Sequence, residues 1–274
     1  MGETSGIEWT DATFNPWIGC TKVSPACDNC YAEDYARRYK IVEWGNNPRK
    51  RTSIQNWNNP RRWQRKADEF EQEHGRPRFV FCASLADVFD NQVPDDWRSD
   101  LFDLIRECDR LVWLLLTKRP QNIAKMLPAD WGDGWRHVWL GTTVEDQKRA
   151  NMNIPPLLAV PAARRFLSCE PIVGPIDVGT AIRCAGCPEC GSKSWGCGAS
   201  TKLHWIITGG ETGAEARPAD PEWYRHLRNQ SVAQGVPFFF KQWGEFEASG
   251  ARVGKKKAGR IMDGQIWDER PNPK

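Results

Sequence analysis

Leu111-Val112-Trp113-Leu114-Leu115-Leu116-Thr117-Lys118-Arg119-Pro120 is the stretch on which the fold turns. Six apolar residues in a row leave no polar face, so as a strand this segment is buried on both sides, as in parallel sheets. Comparable runs recur at 79–83, 137–142, 165–169, 203–208 and 237–240. Between and around them, helical spacing predicts helices at 28–40, 94–108, 121–127, 145–158 and 221–234. Strands alternating with helices make βαβ units. With one more strand before Cys20 the count reaches seven, which predicts an α/β fold: a partial or near-complete (β/α) barrel.

The ends of the runs support that reading. Ser84 and Asp87 follow one run, Thr117-Lys118-Arg119 another, and Thr142-Thr143 with Glu145 a third. Ser168 with Glu170, Gly209-Gly210-Glu211, and Lys241-Gln242 follow the others. Any one of these reads equally as a cap or loop former. Six in register read as the mouth of a barrel, because active sites of α/β barrels lie at the carboxyl ends of the strands.

Directly after the first strand, Cys20, Cys27 and Cys30 stand in the spacing C-x6-C-x2-C. Three thiolates on one short loop suit a cubane iron–sulfur cluster, because iron is held by cysteine sulfur. Three protein ligands for four irons leave one iron open to bind a substrate. The alternatives are a zinc site with its fourth ligand elsewhere, or three unrelated buried thiols. Cys184, Cys187, Cys190 and Cys197 form a second group, with the knuckle-like run Cys187-Pro188-Glu189-Cys190-Gly191. Four local thiolates favour a closed structural zinc site, and an auxiliary iron–sulfur cluster competes with it. Cys82, Cys108 and Cys169 lie singly in apolar patterns and are expected in the core.

The chain has 274 residues, 40% of them apolar and 27% charged, which fits a soluble globular enzyme. No apolar run approaches the roughly 20 residues of a membrane helix, and Met1-Gly2-Glu3 opens no signal peptide. A cytoplasmic location is therefore expected, with the ten cysteines as metal ligands or buried thiols rather than disulfides. Only four histidines occur, and neither a hydrolase carboxylate pair, a nucleophilic triad, a P-loop nor a dinucleotide-binding glycine pattern can be assembled.

The net charge of +3 hides an asymmetry. Residues 37–66 hold ten Lys or Arg against one acid, Glu43, a net +9 that leaves −6 on the rest. Arg49-Lys50-Arg51, Arg61-Arg62 and Arg65-Lys66 are interleaved with Trp57 and Trp63. Cations for phosphates mixed with rings for bases suit a nucleic-acid groove. The competing reading is a solvated basic insertion whose tryptophans pack on the barrel. Most of the 15 Trp are expected in the core, Trp113, Trp139 and Trp205 among them. The organisation expected is a barrel over residues 1–243, with a basic insertion at 41–78, a metal-binding insertion at 180–201 and a C-terminal extension at 244–274.

The cysteine loop and the strand order resemble the radical S-adenosylmethionine superfamily. More specifically, the chain resembles a phage and prophage branch with the longer C-x6-C-x2-C loop. The matching stretches include Ile7-Glu8-Trp9-Thr10 through Tyr31, Ser84 through Phe89, Ser168-Cys169-Glu170-Pro171, Gly209 through Gly213, and Phe239 through Gly244. The resemblance implies a radical-type barrel, a [4Fe–4S] cluster on Cys20, Cys27 and Cys30, S-adenosyl-L-methionine on the open iron, and an electron donor such as flavodoxin. It implies cofactor contacts among Ser84, Thr143, Glu145, Ser168, Glu170, Gly209, Gly210 and Glu211, the glycines reading equally as a plain turn. Lys118, Arg119 and Lys241 are the cations expected to meet the cofactor carboxylate or a substrate anion. For a phage-type enzyme the expected substrate is DNA, and the expected reaction an isomerisation of a glycyl adduct on the thymine methyl group. Repair like that of spore photoproduct lyase is the alternative, and a zinc-stabilised nucleic-acid-binding protein the non-enzymatic one. Arg49, Lys50, Arg51, Trp57, Arg61, Arg62 and Trp63 are then the expected DNA contacts.

Overall fold

The computed structural model describes residues 4–179 and 203–273. The expected metal-binding insertion, with Cys184, Cys187, Cys190 and Cys197, lies outside the described residues. Strands β1 (Ala12–Phe14), β2 (Trp17–Ile18), β3 (Lys50–Arg51), β4 (Phe79–Cys82), β5 (Val112–Thr117) and β6 (Val138–Thr143) are followed by β7 (Arg164–Cys169), β8 (Trp205–Thr208) and β9 (Phe238–Phe240). All except the small antiparallel β2–β3 pair join one seven-stranded sheet, parallel throughout and in chain order: β1, β4, β5, β6, β7, β8, β9. The main helices are α1 (Tyr31–Arg38), α2 (Ile54–Arg65), α3 (Ala67–His74), α4 (Asp95–Glu107), α5 (Ile123–Met126), α6 (Gln147–Leu158) and α7 (Pro221–Ala233), with a short α8 (Lys255–Ala258) near the end. The expected α/β fold is present as a partial barrel. Among the described residues no helix is long and apolar enough to cross a membrane.

Ring contacts show how strongly the sheet is rolled. Phe79 on β4 and Trp205 on β8 lie four strands apart, which in a flat sheet is about 19 Å at the usual 4.8 Å spacing. Their ring centroids are 6.3 Å apart. Trp139 on β6 touches both, and Trp9, from the segment before β1, packs on Phe81, Phe166 and Trp205. These rings, with Val112, Leu114, Ile207 and Phe239, fill the inner face. The alternate residues, such as Val80, Trp113, Leu115, Leu140, Leu167 and Ile206, join the larger core beneath the helices. Two buried faces are why β5 reads as an unbroken apolar run.

Gly141 is required by this inner packing. A Cβ there would lie 2.3 Å from the ring of Phe166. Gly141→Ala is expected to cost about 1–3 kcal/mol through overpacking, read as a lower thermal midpoint. Adding Phe166→Leu should recover part of it; no recovery would place the cost elsewhere.

The segments expected outside the barrel are built into it. Residues 41–78 were expected to be a basic insertion without core, yet they contain α2 and α3, whose Trp57, Trp63 and Phe70 are buried. The C-terminal segment covers the exposed edge of β9: Phe239 bridges Asp268 antiparallel, and the Phe240 amide donates to Trp267 O at 2.9 Å. Unpaired edges invite association, and covering them removes that hazard. The same segment reaches across the open side, where Arg270 donates to Glu8 O and the Trp205 indole donates to Glu269 O.

Candidate functional site: a cysteine loop over the barrel mouth

At the carboxyl ends of the strands lies a cavity of about 380 Å³. Cys20, Cys27 and Cys30 all line it, opposite residues from six strand ends. Of the eleven residues expected to be catalytic or to hold cofactor, nine line this cavity: Ser84, Lys118, Arg119, Thr143, Ser168, Glu170, Gly210, Glu211 and Lys241. Glu145 and Gly209 do not. Alternation along the strands explains the grouping. Thr143 continues the parity of the inner-face ring Trp139, Ser168 and Glu170 that of Phe166, and Lys241 that of Phe239, so they point over the same mouth.

Several of these strand-end groups hold the cysteine loop itself. Asp87 is buried and accepts from the Thr117 hydroxyl at 2.7 Å, the Lys118 amide at 3.1 Å and Arg119 Nη1 at 3.0 Å. Arg119 is thereby aimed at the loop, where it donates to Thr21 O at 2.8 Å and to Cys20 Sγ at 3.5 Å. Glu145 is fully buried and accepts from the Ala26 amide at 3.2 Å, while Arg149 donates to Val23 O. Glu211 accepts from Asn29, and Arg217 joins Glu211 to Pro25 O and Asp28. Arg119, Glu145 and Glu211, expected among the cofactor or anion contacts, form hydrogen bonds with the loop, while Glu145 Oε2 is buried without a partner.

Gly210 also has a structural duty. A Cβ there would lie 1.9 Å from the Trp243 carbonyl oxygen, so the glycine lets two strand-end loops touch. Gly209 completes the turn, donating to Cys169 O and accepting from the Ile172 amide.

What remains open toward the cavity is a smaller set. The Lys118 ammonium has no hydrogen-bond or ion-pair partner among the described residues. Burial opposes its charge, but Cys27, Cys30, Glu145 and Cys20 together hold its pKa above the ordinary lysine value. The hydroxyls of Thr143 and Ser168 carry no hydrogen bond among the described residues. The Gln242 amide is buried with neither its oxygen nor its nitrogen partnered. A buried unpaired amide costs about 1–3 kcal/mol, so its position on the cavity wall points to a polar ligand. Glu170 and Lys241 form an ion pair at 2.5 Å across the wall. Burial, reinforced by Asp87, pushes the Cys20 thiol up to about 11 against the pull of Arg119. The Tyr31 hydroxyl donates to Ser84 O at 2.6 Å, and burial of that oxygen end raises its pKa although the side chain as a whole is 54% exposed. For Glu211, burial works to raise the pKa, but the hydrogen bonds from Arg217 and Asn29 together hold it below the usual carboxylate range.

The donor set fits a cluster in one respect and tests the zinc alternative in another. Cys20, Cys27 and Cys30 all line a single cavity, on a loop whose backbone is held by Arg119, Glu145 and Arg149. Among the described residues no three His, Cys, Asp or Glu side chains come close enough to hold one metal ion between them.

The expected DNA surface changes. Trp57 and Trp63 are 5% and 1% exposed and belong to the core, Trp57 packing edge-on against Phe14, so neither ring can stack on a base. Arg49 is buried against Asp90 at 2.6 Å. Arg51 pairs with Asp100 and lies over Trp57, and Arg61 grips Glu107 with both carboxylate oxygens. Lys50 and Arg62 are exposed. Asp87, Tyr31 and Gln242 are cavity residues to which sequence reasoning gave no role; Asp87 and Gln242 were visible only as strand-end polar groups.

No curated protein and no solved structure matches this chain. A family model described as a protein of unknown function (DUF5131) matches residues 4–271. The match spans nearly the whole chain, which therefore belongs to the DUF5131 family.

Proposed function

We propose that this protein is a radical S-adenosylmethionine enzyme, with Cys20, Cys27 and Cys30 holding a [4Fe–4S] cluster. The observation that carries the proposal is the opening of all three cysteines onto one cavity at the mouth of a parallel half-barrel. When bound, such a cluster with one open iron supplies the electron that cleaves adenosylmethionine and yields a 5′-deoxyadenosyl radical. The chain's own contribution is binding and orientation. Arg119, Glu145, Arg149, Arg217 and Asn29 fix the loop that carries the sulfurs. Lys118 offers an unpaired cation for a carboxylate, and Thr143, Ser168 and Gln242 offer hydrogen bonds to hydroxyls or a ring edge. The aromatic plug beneath, from Trp9 to Trp205, keeps water from reaching the cavity through the barrel. As substrate we propose a glycyl-bearing thymine in DNA, a choice supported by the resemblance to the phage branch.

The test is anaerobic reconstitution with iron and sulfide. About four irons and the absorption near roughly 400 nm expected of cysteine-bound clusters should appear. After reduction, 5′-deoxyadenosine should be released from adenosylmethionine, most strongly with modified-thymine oligonucleotides. Colourless protein holding only zinc and releasing no 5′-deoxyadenosine would overturn the proposal. Release with a free nucleoside or a peptide, and none with DNA, would keep the chemistry and replace the substrate.

A further inference from the structure

Among the described residues, the exposed aromatic side chains are Tyr31, Tyr35 and Tyr39, at 54%, 40% and 59% exposure. Tyr31 and Tyr35 lie in α1 and Tyr39 is the residue that caps its C-terminus, at i, i+4 and i+8, so the three follow one side of the helix as a row. The row starts at the cavity, because Tyr31 lines it. Tyr35 and Tyr39 touch, with centroids 4.7 Å apart. Eight residues at 1.5 Å each give the row a length of roughly 12 Å, room for about three bases at the 3.4 Å rise of a stacked strand. Exposed rings in register are costly to leave in water unless something covers them.

Charge identifies the cover. The acids of the same helix are neutralised, Glu33 by Lys22 at 2.8 Å and Asp34 by Arg37 at 2.5 Å. Arg38, whose guanidinium lies 6.0 Å from the Tyr39 ring centre, and Lys40 have no acidic partner among the described residues. A second basic group meets the same cavity from the C-terminal segment. Lys255, Lys256 and Lys257 of α8 are exposed, and Lys255 lines the cavity, paired with Glu8. Lys256 and Lys257 have no acidic partner among the described residues. Rings beside unneutralised cations form a surface for bases and phosphates together, the pattern by which single strands are held.

We propose that the Tyr31–Tyr35–Tyr39 row and the Lys255–Lys257 cluster bind a single-stranded nucleic acid and lead one nucleotide into the cavity. A duplex is a poorer occupant because its base faces are already stacked. The proposal moves the nucleic-acid surface away from Trp57, Trp63 and Arg49, and it rests on the radical reading only for what happens to the delivered nucleotide.

The test is fluorescence anisotropy of the full chain, without iron or adenosylmethionine, with labelled single-stranded oligothymidylate and with its oligoadenylate duplex. The strand should bind more tightly than the duplex. Tyr35→Ala with Tyr39→Ala should weaken strand binding by at least about tenfold, since stacking is lost, and Tyr35→Phe with Tyr39→Phe should restore it. Lys256→Glu with Lys257→Glu should flatten the salt dependence by about 0.7 per lost phosphate contact. Unchanged binding in the double alanine variant, preference for duplex, or equal competition by a polyglutamate peptide would overturn the inference. Strand binding by a protein that never releases 5′-deoxyadenosine would keep this inference and sink the radical reading, so the two fail separately.

Discussion

Replacing Cys20, Cys27 or Cys30 with alanine should reduce 5′-deoxyadenosine release to background while leaving the barrel folded. Each sulfur would hold a separate iron, so removing one leaves two ligands for a cubane that needs three. The fold should survive because the loop is fastened by other groups. Arg119 holds Thr21 O, Arg149 holds Val23 O, Glu145 holds the Ala26 amide and Asn29 holds Glu211. Circular dichroism and the thermal midpoint should therefore stay close to those of the parent protein. Cys82, Cys108 and Cys169 are buried in the outer core and serve as controls. Their conversion to alanine should keep the chromophore near roughly 400 nm. If the three loop variants retained iron and activity, the cluster would have to lie elsewhere, with the thiols beyond the described residues as the remaining candidates.

The barrel was legible because its physics is local. A strand buried on both faces must be apolar throughout, and β5 announces that in six residues. The cavity was nearly as legible, since strand parity sends Thr143, Ser168, Glu170 and Lys241 to one mouth. What each polar group does there was not. Arg119, Glu145 and Glu211 have the right chemistry for ligand, but a residue type does not record direction, and these side chains turn to the cysteine loop. Helix α2 was hidden by its composition. Asn58, Asn59 and a proline within the helix mask the spacing of Asn56, Trp57, Pro60 and Trp63, which form its buried side. The +9 count misled for a related reason. The acids that answer Arg49, Arg51 and Arg61 lie 41, 49 and 46 residues away in sequence, so a window of charge sees only one side of each pair. Tyr31, Tyr35 and Tyr39 stand at i, i+4 and i+8 in the helix expected at 28–40, but sequence alone could not say that this side is exposed.

The buried pair Arg49–Asp90 yields the largest expected loss of stability. The two side chains are 0% and 3% exposed, and their charges meet at 2.6 Å. Arg49 also donates to Gly45 O, Asn47 O and the Thr21 hydroxyl, so one guanidinium ties the β2–β3 connection to the cysteine loop. Removing Asp90 leaves that guanidinium buried without its counter-charge, and Arg119, with Nη2 3.9 Å from Asp90, loses a neighbour too. Breaking one side of a buried pair costs about 3–5 kcal/mol. Asp90→Ala is therefore expected to lower the free energy of unfolding, read from a urea titration, by that amount, and Arg49→Met by a comparable amount because it leaves Asp90 buried without its counter-charge. If Asp90→Ala cost less than about 1 kcal/mol, as exposed pairs do, the burial assigned to this network would be wrong. The same energies decide how the proposed nucleic-acid surface must be probed. Reversing Arg49, Lys50 and Arg51 together to glutamate would set a carboxylate against Asp90 in the core, and weakened binding would then report unfolding. Lys50 and Arg62 are exposed and can be reversed singly. If the tyrosine row carries the strand, those reversals should lower affinity far less than the loss of Tyr35 and Tyr39.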